Sequence, residues 1–145
     1  VKSTSAYIAE PPAAYRIKPP VVVDCSVFGA LLFDEALRET AAQLVASRIL
    51  HAPWLLDHEI ANVADKKRRA GLPPARVDAG LALYEEHEVN MHRTSPAEAL
   101  ALAAAYSLST YDAAYLALAA QLRVPLVTFD HKLGKAAMRH LGSLE

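Results

Sequence analysis

A chain of 145 residues is the length of one ordinary domain with a single buried core. Its 53% hydrophobic and 21% charged residues read as soluble and globular, and no apolar run approaches the roughly 20 residues of a membrane span. The net charge of −1 excludes a polycation, so any nucleic-acid contact has to be a local patch, and the single cysteine, Cys25, excludes an internal disulfide or a multi-cysteine metal site.

Residues 1–20 hold four of the nine prolines, as Pro11-Pro12 and Pro19-Pro20, and read as a proline-rich arm, extended or disordered. The arm lacks the compact apolar core of an export signal, so a cytoplasmic location is expected. A domain is expected over 21–142, with 143–145 as a tail that cloning could leave. VVVDC at 21–25 reads as a buried strand, followed by helical spacing across 28–47. A short strand is expected around 48–53, then a helix over 55–71 stopping at Gly71, and another that Pro73-Pro74 opens and that runs through Tyr84. VNMH at 89–92 is a weak strand; Ser95 caps a helix through Ala105; residues 109–122 form a helix; PLVTFD at 125–130 is a strand; and KLGKAAMRHL is a closing helix. Strands separated by helices, without hairpin signals, predict an α/β fold: a parallel sheet in an α/β/α sandwich with helices on both faces.

Ligands of open parallel sheets bind outside the carboxyl ends of the strands. Asp24 ends the first strand and Asp130 the last. Asp112 starts the helix that leads into the Asp130 strand, and such a helix runs antiparallel to that strand, so its N-terminus lies at the same edge. Glu59 lies in the first turns of the helix after the second strand, over the same edge. For Asp112 a plainer reading also stands: Ser109-x-x-Asp112 is a capping pattern that places the acid at the positive end of the helix dipole. Four gathered carboxylates would repel unless a cation compensates, and an all-oxygen set suits Mg²⁺ or Mn²⁺. The six histidines show no HxxxH spacing. Such a cluster serves displacement at phosphorus by activated water. Neither a Gly-rich phosphate loop nor a GxSxG elbow is present.

Taken together, VVVDCS (21–26), EIAN (59–62), TYDAAYLALA (110–119) and LVTFDHKL (126–133) resemble, in order, the PIN-domain ribonucleases, specifically the VapC-type toxins of bacterial toxin–antitoxin pairs. The resemblance runs from about Val21 to Leu141. It implies that Asp24, Glu59, Asp112 and Asp130 hold Mg²⁺ or Mn²⁺ and that RNA phosphodiesters are cleaved. It also implies supporting roles for Ser26, Asn62, Thr110 and Thr128, although a cap for Thr110 and strand propensity for Thr128 explain those two equally well. The expected partners are RNA, a small antitoxin protein and a second copy of the chain. The proline-rich arm, and the lack of a final strand after Leu141, depart from the usual pattern.

Lys66, Lys67, Arg68 and Arg69 could contact RNA phosphates, but they wrap around a helix end where the dipole favours cations in any case. Arg93, Lys132 and Arg139 are vaguer candidates. Tyr111 and Tyr115 suit either base stacking or core packing, and Asp34 and Glu35 read as a solvated face. Two alternatives stand beside the ribonuclease: a catalytically silent PIN-like module that binds RNA or protein, and another Mg²⁺-dependent phosphohydrolase. The missing phosphoaspartate motif counts against the second.

Overall fold

The structure, a computed structural model, describes Tyr7, Ala9 and residues 18–145. The arm expected over 1–20 therefore lies outside the described residues, except for those two positions and its last three. The elements run β1 (Pro20–Val23), α1 (Cys25–Phe33), α2 (Arg38–Val45), β2 (Ile49–Pro53), α3 (Leu55–Arg69), α4 (Pro74–Glu85), β3 (Val89–His92), α5 (Pro96–Tyr106), α6 (Thr110–Leu122), β4 (Leu126–Val127) and α7 (His131–Gly142).

All four strands are parallel, in the order β3-β2-β1-β4. Helices α1 to α4 pack among themselves, while α5, α6 and α7 form a second group, and α6 also lies against β1 and β2. This is the expected α/β/α architecture. The chain builds outward from β1 to β2 and β3, then returns to the other side of β1 for β4. The strand order therefore switches at β1, and the carboxyl ends of β1 and β4 form the edge at which open parallel sheets bind ligands.

Val21, Val22 and Val23 are fully buried, as a strand covered on both faces requires. The strand expected to reach residue 25 stops at Val23, because Asp24 turns its carboxylate to the start of α1. The strand expected over 125–130 is paired only at Leu126 and Val127, since Asp130 caps α7. The helix expected unbroken over 28–47 is two helices. Between them the Asp34 carboxylate accepts the backbone N–H groups of Ala36 and Leu37, at 2.9 and 3.3 Å, and forms a turn. Gly71 follows α3 with φ of +97°, the left-handed stop that its position implied. Gly80 lets α4 approach the ring of Phe33 on α1. Among the described residues, no helix is long and apolar enough to cross a membrane.

Candidate active site

Asp24 is the N-cap of α1 and only 4% exposed, the one buried charged residue among those described. Its Oδ1 accepts the Ser26 hydroxyl at 2.7 Å and, more weakly, the Val27 N–H at 3.4 Å; its Oδ2 accepts the Thr128 hydroxyl at 2.7 Å. Each hydroxyl has one proton, so with Asp24 ionised both are committed to it. The 3.3 Å approach of Ser26 Oγ to Thr128 Oγ1 is then a contact without a shared proton. The hydroxyl oxygens remain free to accept: Ser26 takes the Phe129 N–H at 2.8 Å, and Thr128 takes the Asp130 N–H at 2.9 Å. The stretch after β4 is thereby fastened to the end of β1. Burial pushes the Asp24 carboxyl above its ordinary range; the two hydroxyls and Val27 N–H pull it back, and the charge of Asp112 adds to the rise.

The other acids arrive on helices. Asp130 is the N-cap of α7, with Oδ1 accepting the Leu133 N–H at 2.7 Å. Asp112 is the third residue of α6, whose cap is Ser109, the hydroxyl oxygen accepting the Asp112 N–H at 3.1 Å. The capping pattern is thus present, and it leaves the Asp112 carboxylate within reach of the charges of Asp130 and Asp24. Burial raises its pKa and the charge of Asp130 raises it further, against Ser109 and the more distant Lys132. Glu59, the fifth residue of α3, accepts the Tyr115 hydroxyl at 2.6 Å. Burial raises the Glu59 carboxyl, Tyr115 lowers it, and the charges of Asp112 and Asp24 raise it again.

Each of the four acids therefore shares a field with at least one other. Among the described residues none of them is in a salt bridge. In the arrangement present, no three His, Cys, Asp or Glu side chains among the described residues converge closely enough to grip an ion. Each acid has its own hydrogen-bond partner: Ser26 and Thr128 hold Asp24, Tyr115 holds Glu59, and Asp130 caps its own helix. The donor chemistry still fits a hard divalent cation, because the rim carries carboxylate oxygens that repel one another and lack a paired cation. The adjacent Cys25 thiol competes poorly as a ligand, since burial and the charges of Glu59 and Asp24 push it up to about 12.

Of the expected supporting residues, Ser26 and Thr128 bind Asp24 directly. Thr110 is the exposed first residue of α6, next to the cap, and Asn62 is exposed one turn beyond Glu59. In the basic run, Arg68 and Arg69 reach back to Asp65 at 2.7 and 2.9 Å. Sequence reasoning missed Tyr115 as the partner of Glu59. Its signal was its place one turn after Asp112, on the same face of α6.

A family model described as PIN domain matches residues 21–138. Ribonuclease VapC3 of Pyrobaculum aerophilum is 33% identical over 123 residues, covering 79% of this chain and 92% of that protein. Ribonuclease VapC3 of Mycobacterium tuberculosis is 34% identical over 122 residues, covering 81% of this chain and 89% of that protein. Among solved structures, PAE2754 from Pyrobaculum aerophilum has a TM-score of 0.64 at 23% identity, over 81% of this chain and 86% of its own. Mycobacterium tuberculosis VapC20, described as a sarcin-ricin loop cleaving toxin, has a TM-score of 0.59 at 19% identity, over 80% of this chain and 94% of its own. At those identities the two structures show likeness of fold.

Proposed function

Because the chain belongs to the PIN-domain family, we propose that it is a Mg²⁺- or Mn²⁺-dependent endoribonuclease, the toxin of a toxin–antitoxin pair acting in the cytoplasm. One observation carries the reading: Asp24, Glu59 and Asp112 share one negative field at the strand-order switch, Asp130 extends it through Asp112, and among the described residues none of the four acids is in a salt bridge. The kinship with proteins named ribonucleases supports the same chemistry.

In this reading Asp24, Glu59, Asp112 and Asp130 hold the ion. When bound, a divalent cation supplies a water of lowered pKa for attack on phosphorus and stabilises the charge that develops there. The protein's own contribution is position. Ser26 and Thr128 fix both oxygens of Asp24, and Tyr115 holds Oε1 of Glu59. Fixing these groups in advance removes reorganisation from the reaction itself. A small antitoxin protein and a second copy of the chain are proposed as partners, as the resemblance to VapC-type toxins implies. The reading is tested by incubating the chain with single-stranded and hairpin RNA in Mg²⁺ or Mn²⁺. Internal cleavage that EDTA abolishes is expected; cleavage indifferent to EDTA overturns the metal dependence, and no cleavage of any RNA overturns the nuclease.

A further inference from the structure

A cavity of about 510 Å³ lies between the end of α5 and the outer face of α7, next to the acidic rim. Its polar lining includes Lys132, Lys135 and Arg139 beside His131, and no carboxylate lines it. These four residues are exposed, while Leu133, Ala136 and Ala137 of the same helix are buried, so the two lysines and the arginine stand on the solvent side of an anchored helix. None of the four is in a salt bridge among the described residues. The Arg139 guanidinium lies 5.9 Å from the centre of the Tyr106 ring, which forms the opposite wall.

Two groups of cations can be compared on physical grounds. Those of α3 sit in its last turn, where the dipole favours them, and Asp65 engages two of them. Helix stability accounts for that run without a ligand. Lys132 sits in the first turn of α7, where the dipole disfavours positive charge, and Lys135 lies about one turn from the helix start. Helix stability gives no reason for these two lysines, yet their position is fixed relative to the site; Arg139, in the last turn of α7, is favoured by the dipole as the α3 run is, and joins them through its place over the Tyr106 ring in the same groove. His131 follows Asp130 directly, and Lys132 is near enough to Asp112 to lower its pKa. From His131 to Arg139 the helix rises about 12 Å, enough to meet more than one phosphate of a strand.

We propose that the α5–α7 groove is the track along which the RNA backbone runs to or from the acid cluster, with Lys132, Lys135 and Arg139 contacting phosphates. The inference rests on the ribonuclease reading above and adds the direction of the substrate. In a chain of net charge −1, this local patch offsets the repulsion between a phosphodiester and a carboxylate rim.

The test is equilibrium binding of a fluorescein-labelled single-stranded RNA, by anisotropy over a salt series in EDTA, so that nothing is cut. The variant Lys135→Glu with Arg139→Glu is compared with Lys67→Glu plus Arg68→Glu, which changes the net charge equally. The α7 pair is expected to weaken binding about tenfold or more and to lower the salt slope by about 1.4, each phosphate contact on a single strand contributing about 0.7. The α3 pair is expected to stay within about twofold. Because Glu in the last turn of α7 opposes the dipole, Lys135→Gln with Arg139→Gln is measured alongside, with a smaller loss expected and circular dichroism as the check on folding. Equal losses in the two helices, or an α7 pair that binds normally while the parent chain binds and cuts RNA, overturn the track alone. Displacement of the RNA by polyglutamate at equal charge would make the groove a docking site for acidic protein and overturns it too. A parent chain that neither binds RNA in EDTA nor cuts it in Mg²⁺ overturns the ribonuclease reading and the track with it.

Discussion

The hydroxyl of Thr128 donates to Oδ2 of Asp24 at 2.7 Å, across 104 positions of sequence. The same oxygen accepts the Asp130 N–H, so one side chain sets both acids at the carboxyl ends of β1 and β4. Thr128→Val keeps the volume but removes both bonds. It leaves a buried carboxylate oxygen without a donor, which costs about 1–3 kcal/mol. Urea unfolding should show that loss, and RNA cleavage should fall by about tenfold or more, with Thr128→Ser recovering most of both. A stable and fully active Val variant would show that Asp24 is held by Ser26 alone.

Tyr115 is 1% exposed, and its hydroxyl reaches Glu59 from another helix at 2.6 Å. Tyr115→Phe keeps the ring and removes the bond. Since that bond lowers the Glu59 pKa, its loss raises it further, and the acid limb of the cleavage profile should move to higher pH. Mn²⁺ affinity, measured by calorimetry, should drop about tenfold. An unchanged affinity and pH profile would reduce Tyr115 to core packing.

Asp112 is one of three acids whose pKa values are raised, largely by burial. A raised carboxyl keeps its proton longer in the folded state, so the folded chain binds more protons and stability falls as pH rises from about 3.8 through the raised value. Above that window Asp112→Asn should raise Tm by about 2–4 °C, as relief of roughly 1 kcal/mol of screened repulsion would in a chain this size. Saturating Mg²⁺ should raise the Tm of the parent chain and leave that of the variant nearly unchanged. A Tm that falls in the variant would show that these charges do not strain the fold.

At Gly80 an added Cβ would run into the Phe33 ring, which is buried at 6% exposure. Alanine would otherwise favour the helix. Gly80→Ala is nevertheless expected to lower stability by about 1–3 kcal/mol in urea unfolding, because overpacking outweighs propensity.

Burial on both faces writes itself into composition, which is why Val21 to Val23 and the helices around them could be read as a parallel sheet with its covering layers. Asp24, Asp112 and Asp130 were legible for a related reason: each sits where a helix begins, and that boundary is marked by caps. The break at Asp34–Leu37 was not legible, because a side-chain turn interrupts a helix without disturbing apolar spacing. Nor was the bond between Tyr115 and Glu59, since spacing gives the face of α6 but not which residue of α3 stands opposite. The pairing of Arg68 and Arg69 with Asp65 could have been read from their three- and four-residue spacing, which weakens the basic run as an RNA contact.

Single-turnover cleavage of RNA in Mn²⁺ by Asp24→Asn, Glu59→Gln, Asp112→Asn and Asp130→Asn shows whether the four carboxylates act as one metal-dependent nuclease site. Each variant is predicted to fold and to cleave at least about a hundredfold more slowly than the parent chain, a loss of roughly 2.7 kcal/mol in barrier lowering. Cleavage by Asp24→Asn or Asp112→Asn at the parental rate would contradict the account.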